Sequence, residues 1–272
     1  MKAKYLLLVF TIVSLQAYAS SRLINNNFGK GQFFFYWGYN RGFYSASDIH
    51  FKGNEYDFTL KAVKANDRQS KLAADPYLRI DQITIPQYDY RLGYCINNRY
   101  ALSFGFDHMK YVMNQNQTVK MTGFIRDSSS IYQGDFNGQS VVLTGNFLEL
   151  EHTDGLNYLN AEITRTDPVI RINKHLQLNT ITGLGVGFMY PRTRCMLMNR
   201  NLNDQWHVSG YGVSANLGVN LGLGKHFYLQ SAAKMGWINM PNIVVSGNKA
   251  DKASQHFSFL QTQILLGYKF RL

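Results

Sequence analysis

The chain has 272 residues, is rich in aromatic residues (14%) and Gly, is poor in Pro and Cys, and carries a formal net charge of +11. After residue 19 no apolar run approaches the roughly 18 residues that a helical membrane span needs, so helical spans are excluded. The remaining way to cross a bilayer is a closed β-barrel, in which every backbone group pairs with a neighbouring strand.

At the N-terminus Lys2 and Lys4 precede an apolar run over 5–15 and the small-residue site Ala17-Tyr18-Ala19. This pattern predicts a cleaved signal peptide over 1–19, followed by one barrel domain over 20–272. Losing Lys2 and Lys4 would leave 11 − 2 = +9 on the mature chain. The expected partners of such a basic exported protein are membrane lipid and the phosphates of lipopolysaccharide, not nucleic acid, and a monomer in the bacterial outer membrane is expected.

The first strand is predicted over 31–44, where Phe33, Phe35, Trp37 and Tyr39 alternate with smaller or polar residues. A long excursion over 45–83 follows, with a strand-like piece at 56–60 and the polar cluster Ser47-Asp48-Ile49-His50. Strands two and three, 84–96 and 99–113, flank the tight turn Asn97-Asn98, and parity turns Asp89, Arg91 and Asp107 toward the lumen. His108 and Lys110 fall on the lipid-facing parity of Leu102, Phe104 and Phe106, so either they stand above the hydrocarbon or a bulge turns them in. A second excursion, 114–155, contains a strand-like run at 141–150 and ends on Asp154-Gly155, a strong turn signal. Glu149 and Glu151 share a face of that run; burial in the lumen would call for Arg91 or Lys234 as partners.

Strands are then expected at 156–172, 175–189, 208–223, 226–240 and 257–272, joined on the periplasmic side by Asn173-Lys174 and Gly224-Lys225. The alternation is clearest where Tyr211, Val213, Ala215, Leu217, Val219 and Leu221 interleave with Gly, Ser and Asn. Lys234 faces inward from strand seven. On the closing strand Tyr268 and Phe270 face lipid and Lys269 and Arg271 the lumen; Phe257 and Phe259 have the opposite parity to Phe270, which calls for a bulge near Leu260 or Gln261. The predicted fold is therefore all-β: a transmembrane antiparallel up-and-down barrel of eight strands with two long extracellular excursions, or ten to twelve strands if the excursions join the wall. Eight strands enclose an interior that side chains fill, so no wide pore is expected. Cys95 near a periplasmic turn and Cys195 in an external loop are too far apart for a disulfide, leaving two free thiols.

Carboxylates beside imidazoles at the external rim can relay protons or bind a divalent metal, although no tight metal signature is present. The runs His108-Met109-Lys110-Tyr111 and Leu150-Glu151-His152-Thr153-Asp154-Gly155-Leu156-Asn157, with Gly183-Leu184-Gly185-Val186-Gly187 followed by Pro191, resemble the outer-membrane lipid A oxidases. Those enzymes convert the proximal glucosamine of lipid A to an aminogluconate. Weaker echoes are Ser47-Asp48-Ile49 and Asp57-Phe58-Thr59; His152 and Asp107 depart from the family's pattern. The resemblance implies an eight-stranded barrel acting on lipid A at its outer rim, with dioxygen as electron acceptor. If it is an enzyme, His108 is the candidate proton carrier, with Glu151, Asp154 and Asn157 as further catalytic candidates and the carboxylates as metal or sugar ligands. Arg192, Arg194 and Lys110 are candidates to hold lipid A phosphates. Asp89, Arg91, Asp107 and Lys234 form a candidate lumen network. The alternative is a non-catalytic envelope barrel serving membrane integrity, adhesion or the passage of small apolar solutes.

Overall fold

A computed structural model describes residues 28–82, 84–248 and 250–272. The expected signal peptide lies outside the described residues. In chain order the strands are β1 (Phe33–Tyr44), β2 (Ser47–Lys52), β3 (Tyr56–Val63), β4 (Ala65–Asn66), β5 (Tyr88–Cys95), β6 (Tyr100–Met113), β7 (Thr118–Ile125) and β8 (Gly134–Val142). They continue with β9 (Leu148–Arg171), β10 (Leu176–Met189), β11 (Arg192–Leu197), β12 (Arg200–Trp206), β13 (Gly210–Leu223), β14 (Phe227–Val244) and β15 (Lys252–Phe270).

Eight of these pair in the order β1-β5-β6-β9-β10-β13-β14-β15, every pair antiparallel, and β15 pairs back onto β1 from Phe33↔Phe270 to Tyr44↔Phe259. The wall is therefore a closed eight-stranded barrel. The excursions add no staves to it. Above one side, Lys252–Gln255 of β15 carries β2, which carries β3, then β7, then β8. Above the other, the first residues of β9 carry β11, and β11 carries β12.

The barrel is inside-out relative to a soluble sheet. Phe104 (57%), Leu184 (65%) and Ile264 (65%) are exposed on the outer wall, while Arg91 (1%), Glu162 (2%) and Lys234 (1%) are buried in the lumen. A continuous belt of large apolar side chains facing outward is what a hydrocarbon surrounding requires, so this is a membrane-spanning barrel of the outer-membrane type.

Its interior is filled. Lys234 Nζ lies 2.7 Å from Glu162 Oε1 and contacts Asp107 Oδ2, while Arg91 Nη2 is 3.0 Å from Glu162 and 3.8 Å from Asp107. Arg91 Nε also donates to the Tyr36 hydroxyl at 2.8 Å. Asp89 accepts from Asn40 (2.8 Å) and Gln261 (3.2 Å), so all four expected lumen residues take part in a polar interior.

The external strands enclose a separate apolar core with Ile49, Phe51, Phe58, Leu60, Met121 and Phe147 fully buried or nearly so. Each such side chain contributes roughly 1.5–3 kcal/mol of burial, enough to hold the hairpins together as one lobe over the barrel mouth. Two sequence expectations change here. β15 runs without a register shift along β1, so the bulge near Leu260 or Gln261 is absent; Phe257 and Phe259 point inward and join the lobe core. The reason is that the outer half of the interior, being roofed by the lobe, is apolar. The run over 141–150 is also not one strand: β8 ends at Val142, a turn closed by Phe147 N to Thr144 O follows, and β9 starts at Leu148.

Cys95 and Cys195 are both free and buried, at opposite ends of the barrel. Burial pushes the Cys195 thiol up to about 12.

Candidate functional site

The site is built by one irregularity between β6 and β9. Their register runs through His108↔Asn157 and Met109↔Leu156, then resumes at Tyr111↔His152, so Thr153, Asp154 and Gly155 together oppose Lys110. Asp154-Gly155, expected as a turn, is thus a bulge inside the continuous 24-residue strand β9. Gly155 makes it possible. Its φ is +125°, and a Cβ there would lie 2.1 Å from Asn157 Oδ1.

Asn157 uses the room the glycine leaves. Its Nδ2 donates to the Tyr190 carbonyl at 3.1 Å, which turns Oδ1 toward His108 Nδ1 at 2.8 Å. With Oδ1 as acceptor, the imidazole proton is assigned to Nδ1, and Nε2 keeps its lone pair. The ring lies flat on Tyr88, with centroids 4.9 Å apart and planes at 17°, and Phe106 continues the stack at 6.2 Å. His108 therefore stays on the outer wall, as its parity required, and is locked by one hydrogen bond and two aromatic faces.

Around it, on the same outer rim, Lys110 Nζ donates to Ile85 O at 3.0 Å, and Asp154 Oδ2 meets Arg192 Nη1 at 2.7 Å. His108, Lys110, Asp154 and Asn157 line one open groove, walled by Tyr88, Phe106 and Trp206. Trp206 stacks on Tyr190, so the groove wall and the carbonyl that orients Asn157 are tied together.

Other candidates lie elsewhere. Glu151 meets Arg68 at 2.7 Å and Arg194 at 3.5 Å, not Arg91 or Lys234, because Leu150 and His152 take the inward face of β9 and leave Glu151 on the outside of the lobe. Arg194 is accordingly paired with Glu151, while Arg192 reaches the groove through Asp154. Asp107, one residue before His108, faces the lumen. His50 pairs with Asp57 at 2.7 Å within the β2-β3 hairpin. His152 is fully buried in the lobe, where its Nδ1 lies 2.9 Å from the Thr193 hydroxyl, and burial pushes its pKa down to about 3. Among the described residues no three His, Cys, Asp or Glu side chains gather as metal ligands would.

Sequence reasoning missed three participants. Glu162 was legible, since it shares the lumen parity of Asn160 on β9. Tyr88 and Trp206 were not, because their place beside His108 depends on the β5-β6 register and on the β11-β12 hairpin.

No protein-family model matches the chain, and no curated protein matches it. Among solved structures it is similar to the outer membrane protein OprG from Pseudomonas aeruginosa, at 12% identity over 90% of this chain and 98% of that one, with a TM-score of 0.39. It is also similar to Ail, the attachment invasion locus protein of Yersinia pestis, at 12% identity over 89% and 99% of the two chains, TM-score 0.32. The outer membrane protease OmpT from Escherichia coli follows at 8% identity over 88% and 96%, TM-score 0.26. At these scores the barrel rests on its own strand pairing and outward apolar belt.

Proposed function

We propose that this outer-membrane barrel acts on lipid A from the groove on its outer wall. The observation that carries the reading is the His108-Asn157 pair: an imidazole with a fixed tautomer presents Nε2 at the external rim of a lipid-facing wall. A proton acceptor so placed meets a lipid headgroup and not a soluble substrate. Lys110 and Arg192 border the same groove and supply positive charge for phosphate.

The resemblance to lipid A oxidases supplies the reaction. On lipid A whose proximal glucosamine has a free anomeric hydroxyl, with no phosphate at that position, the anomeric C–H is broken as that carbon passes from the aldehyde to the acid level, and His108 takes the proton of the hydroxyl. Two electrons and two protons go to dioxygen, giving hydrogen peroxide, and water provides the added oxygen. Asp154 positions the sugar and Asn157 holds the imidazole in place, whereas Glu151 acts outside the groove, on the arginines of the lobe.

A second reading, a non-catalytic envelope barrel, is favoured by the filled lumen. Transport of solutes through that lumen would require Arg91 and Lys234 to leave their carboxylates, which is costly. Mass spectrometry of lipid A from aerobically grown cells with and without the protein separates the two. One added oxygen on the reducing-end sugar supports the oxidase, and identical spectra support the envelope barrel.

A further inference from the structure

The net positive charge of the chain is concentrated at the end opposite the groove. The short-turn end, which in barrels of this type is periplasmic, carries seven Lys and Arg side chains outside the lumen against a single acid, Asp167, a local excess of 7 − 1 = +6. The long-loop end is nearly balanced. Every turn takes part: Lys30, Arg99, Arg171, Lys174, Lys225 and Arg271 are all exposed and surround the rim. The single acid is gripped from two sides, by Arg165 at 2.7 Å and by Arg99 at 3.4 Å, and the trio keeps one net positive charge.

Height along the wall says what this collar meets. Tyr94, Tyr100, Phe227 and Tyr268 are exposed just below the apolar belt. Arg165 lies on that outer wall with its guanidinium 6.0 Å from the centre of the Tyr100 ring. Apolar belt, then aromatic girdle, then bases is the profile of one phospholipid leaflet from acyl chain to phosphate. A polymer in the periplasm would reach the turns from below but not the lateral Arg165.

We propose that this rim is a docking collar for anionic phospholipid headgroups of the inner leaflet, phosphatidylglycerol being the simplest of them. The collar holds the short-turn end at the phosphate plane all the way round and fixes the height of the barrel from the side opposite to the lipopolysaccharide-facing groove.

The test reconstitutes the full chain into nanodiscs of phosphatidylcholine containing a minor fraction of phosphatidylglycerol and reads the retained lipids by native mass spectrometry. The comparison is with a variant carrying Arg99→Gln, Lys174→Gln, Lys225→Gln and Arg271→Gln. Phosphatidylglycerol is expected on the wild type well above its bulk fraction. Since each base near an anionic surface is worth about a fivefold preference, loss of four should lower the enrichment by about tenfold or more even after partial screening. Raising salt on the wild type alone should lower it too, a readout that does not depend on how the variant folds. Equal retention of the two lipids, or an enrichment unchanged by both the substitutions and salt, overturns the proposal. So does an unchanged lipid pattern accompanied by co-sedimentation with purified peptidoglycan that the variant loses, which would assign the collar to the cell wall. None of these outcomes bears on the groove of His108.

Discussion

Replacing Lys234 with Met probes what holds the barrel interior together. Lys234 is 1% exposed and bridges two carboxylates, at 2.7 Å from Glu162 and in contact with Asp107. Without it Asp107 keeps Arg91 at 3.8 Å and the Asn160 amide at 3.0 Å, and Arg91 must serve both acids. Stranding a buried charge in this way costs roughly 3–5 kcal/mol. Adding Asp107→Asn removes the stranded charge and should restore most of that loss, because deleting both members of a buried pair is often near neutral. Equilibrium unfolding in urea, with the barrel in lipid vesicles and tryptophan fluorescence as the signal, measures both variants and gives the double-mutant cycle. A loss below about 1 kcal/mol for Lys234→Met, or strict additivity of the two substitutions, would mean that the ions are screened by water, as exposed pairs are, and would refute a dry, charge-locked interior.

Two further perturbations test the site and the lobe. Gly155→Ala forces a side chain onto a residue at φ +125° and against Asn157; roughly 1–3 kcal/mol of stability should be lost, and lipid A modification should fall with the His108-Asn157 contact while the barrel still folds, read by its gel mobility with and without heating. His152 makes the lobe sensitive to acid. The unfolded chain binds a proton at this residue below about pH 6.5 and the folded lobe only near 3. Its stabilising effect is therefore complete above 6.5 and shrinks as pH falls toward 3. The loss should reach about 2 kcal/mol at pH 5, seen as faster amide exchange in β2, β3 and β7, and His152→Leu should flatten that dependence.

Much of the barrel was legible because lipid imposes period-2 alternation on the wall. Lys234, Arg91, Asp89 and Asp107 could be placed in the lumen by parity alone, and Gly-rich β10 and β13 by their alternation. The failures share one cause. Parity carries a reading only as far as the next irregularity, and Asp154-Gly155 signals a turn and a bulge equally well. Reading it as a turn misplaced the start of β9. Phe257 and Phe259 were misread because apolar residues were expected to face lipid, whereas a lobe roofing the mouth makes the interior apolar at that height. The β11-β12 hairpin, which brings Trp206 to the groove, has no comparable alternation to announce it. His108 and Asn157 were both legible as candidates, but their pairing depended on the register.

The most direct measurement on the groove is lipid A mass spectrometry from cells expressing wild type or His108→Phe at equal levels of folded barrel. Phe keeps the stack on Tyr88 and removes Nε2. The wild type should add one oxygen to the reducing-end sugar and the variant none. An oxygen added equally by both, or by neither, would contradict the assignment of His108 as the proton carrier of a lipid A oxidase.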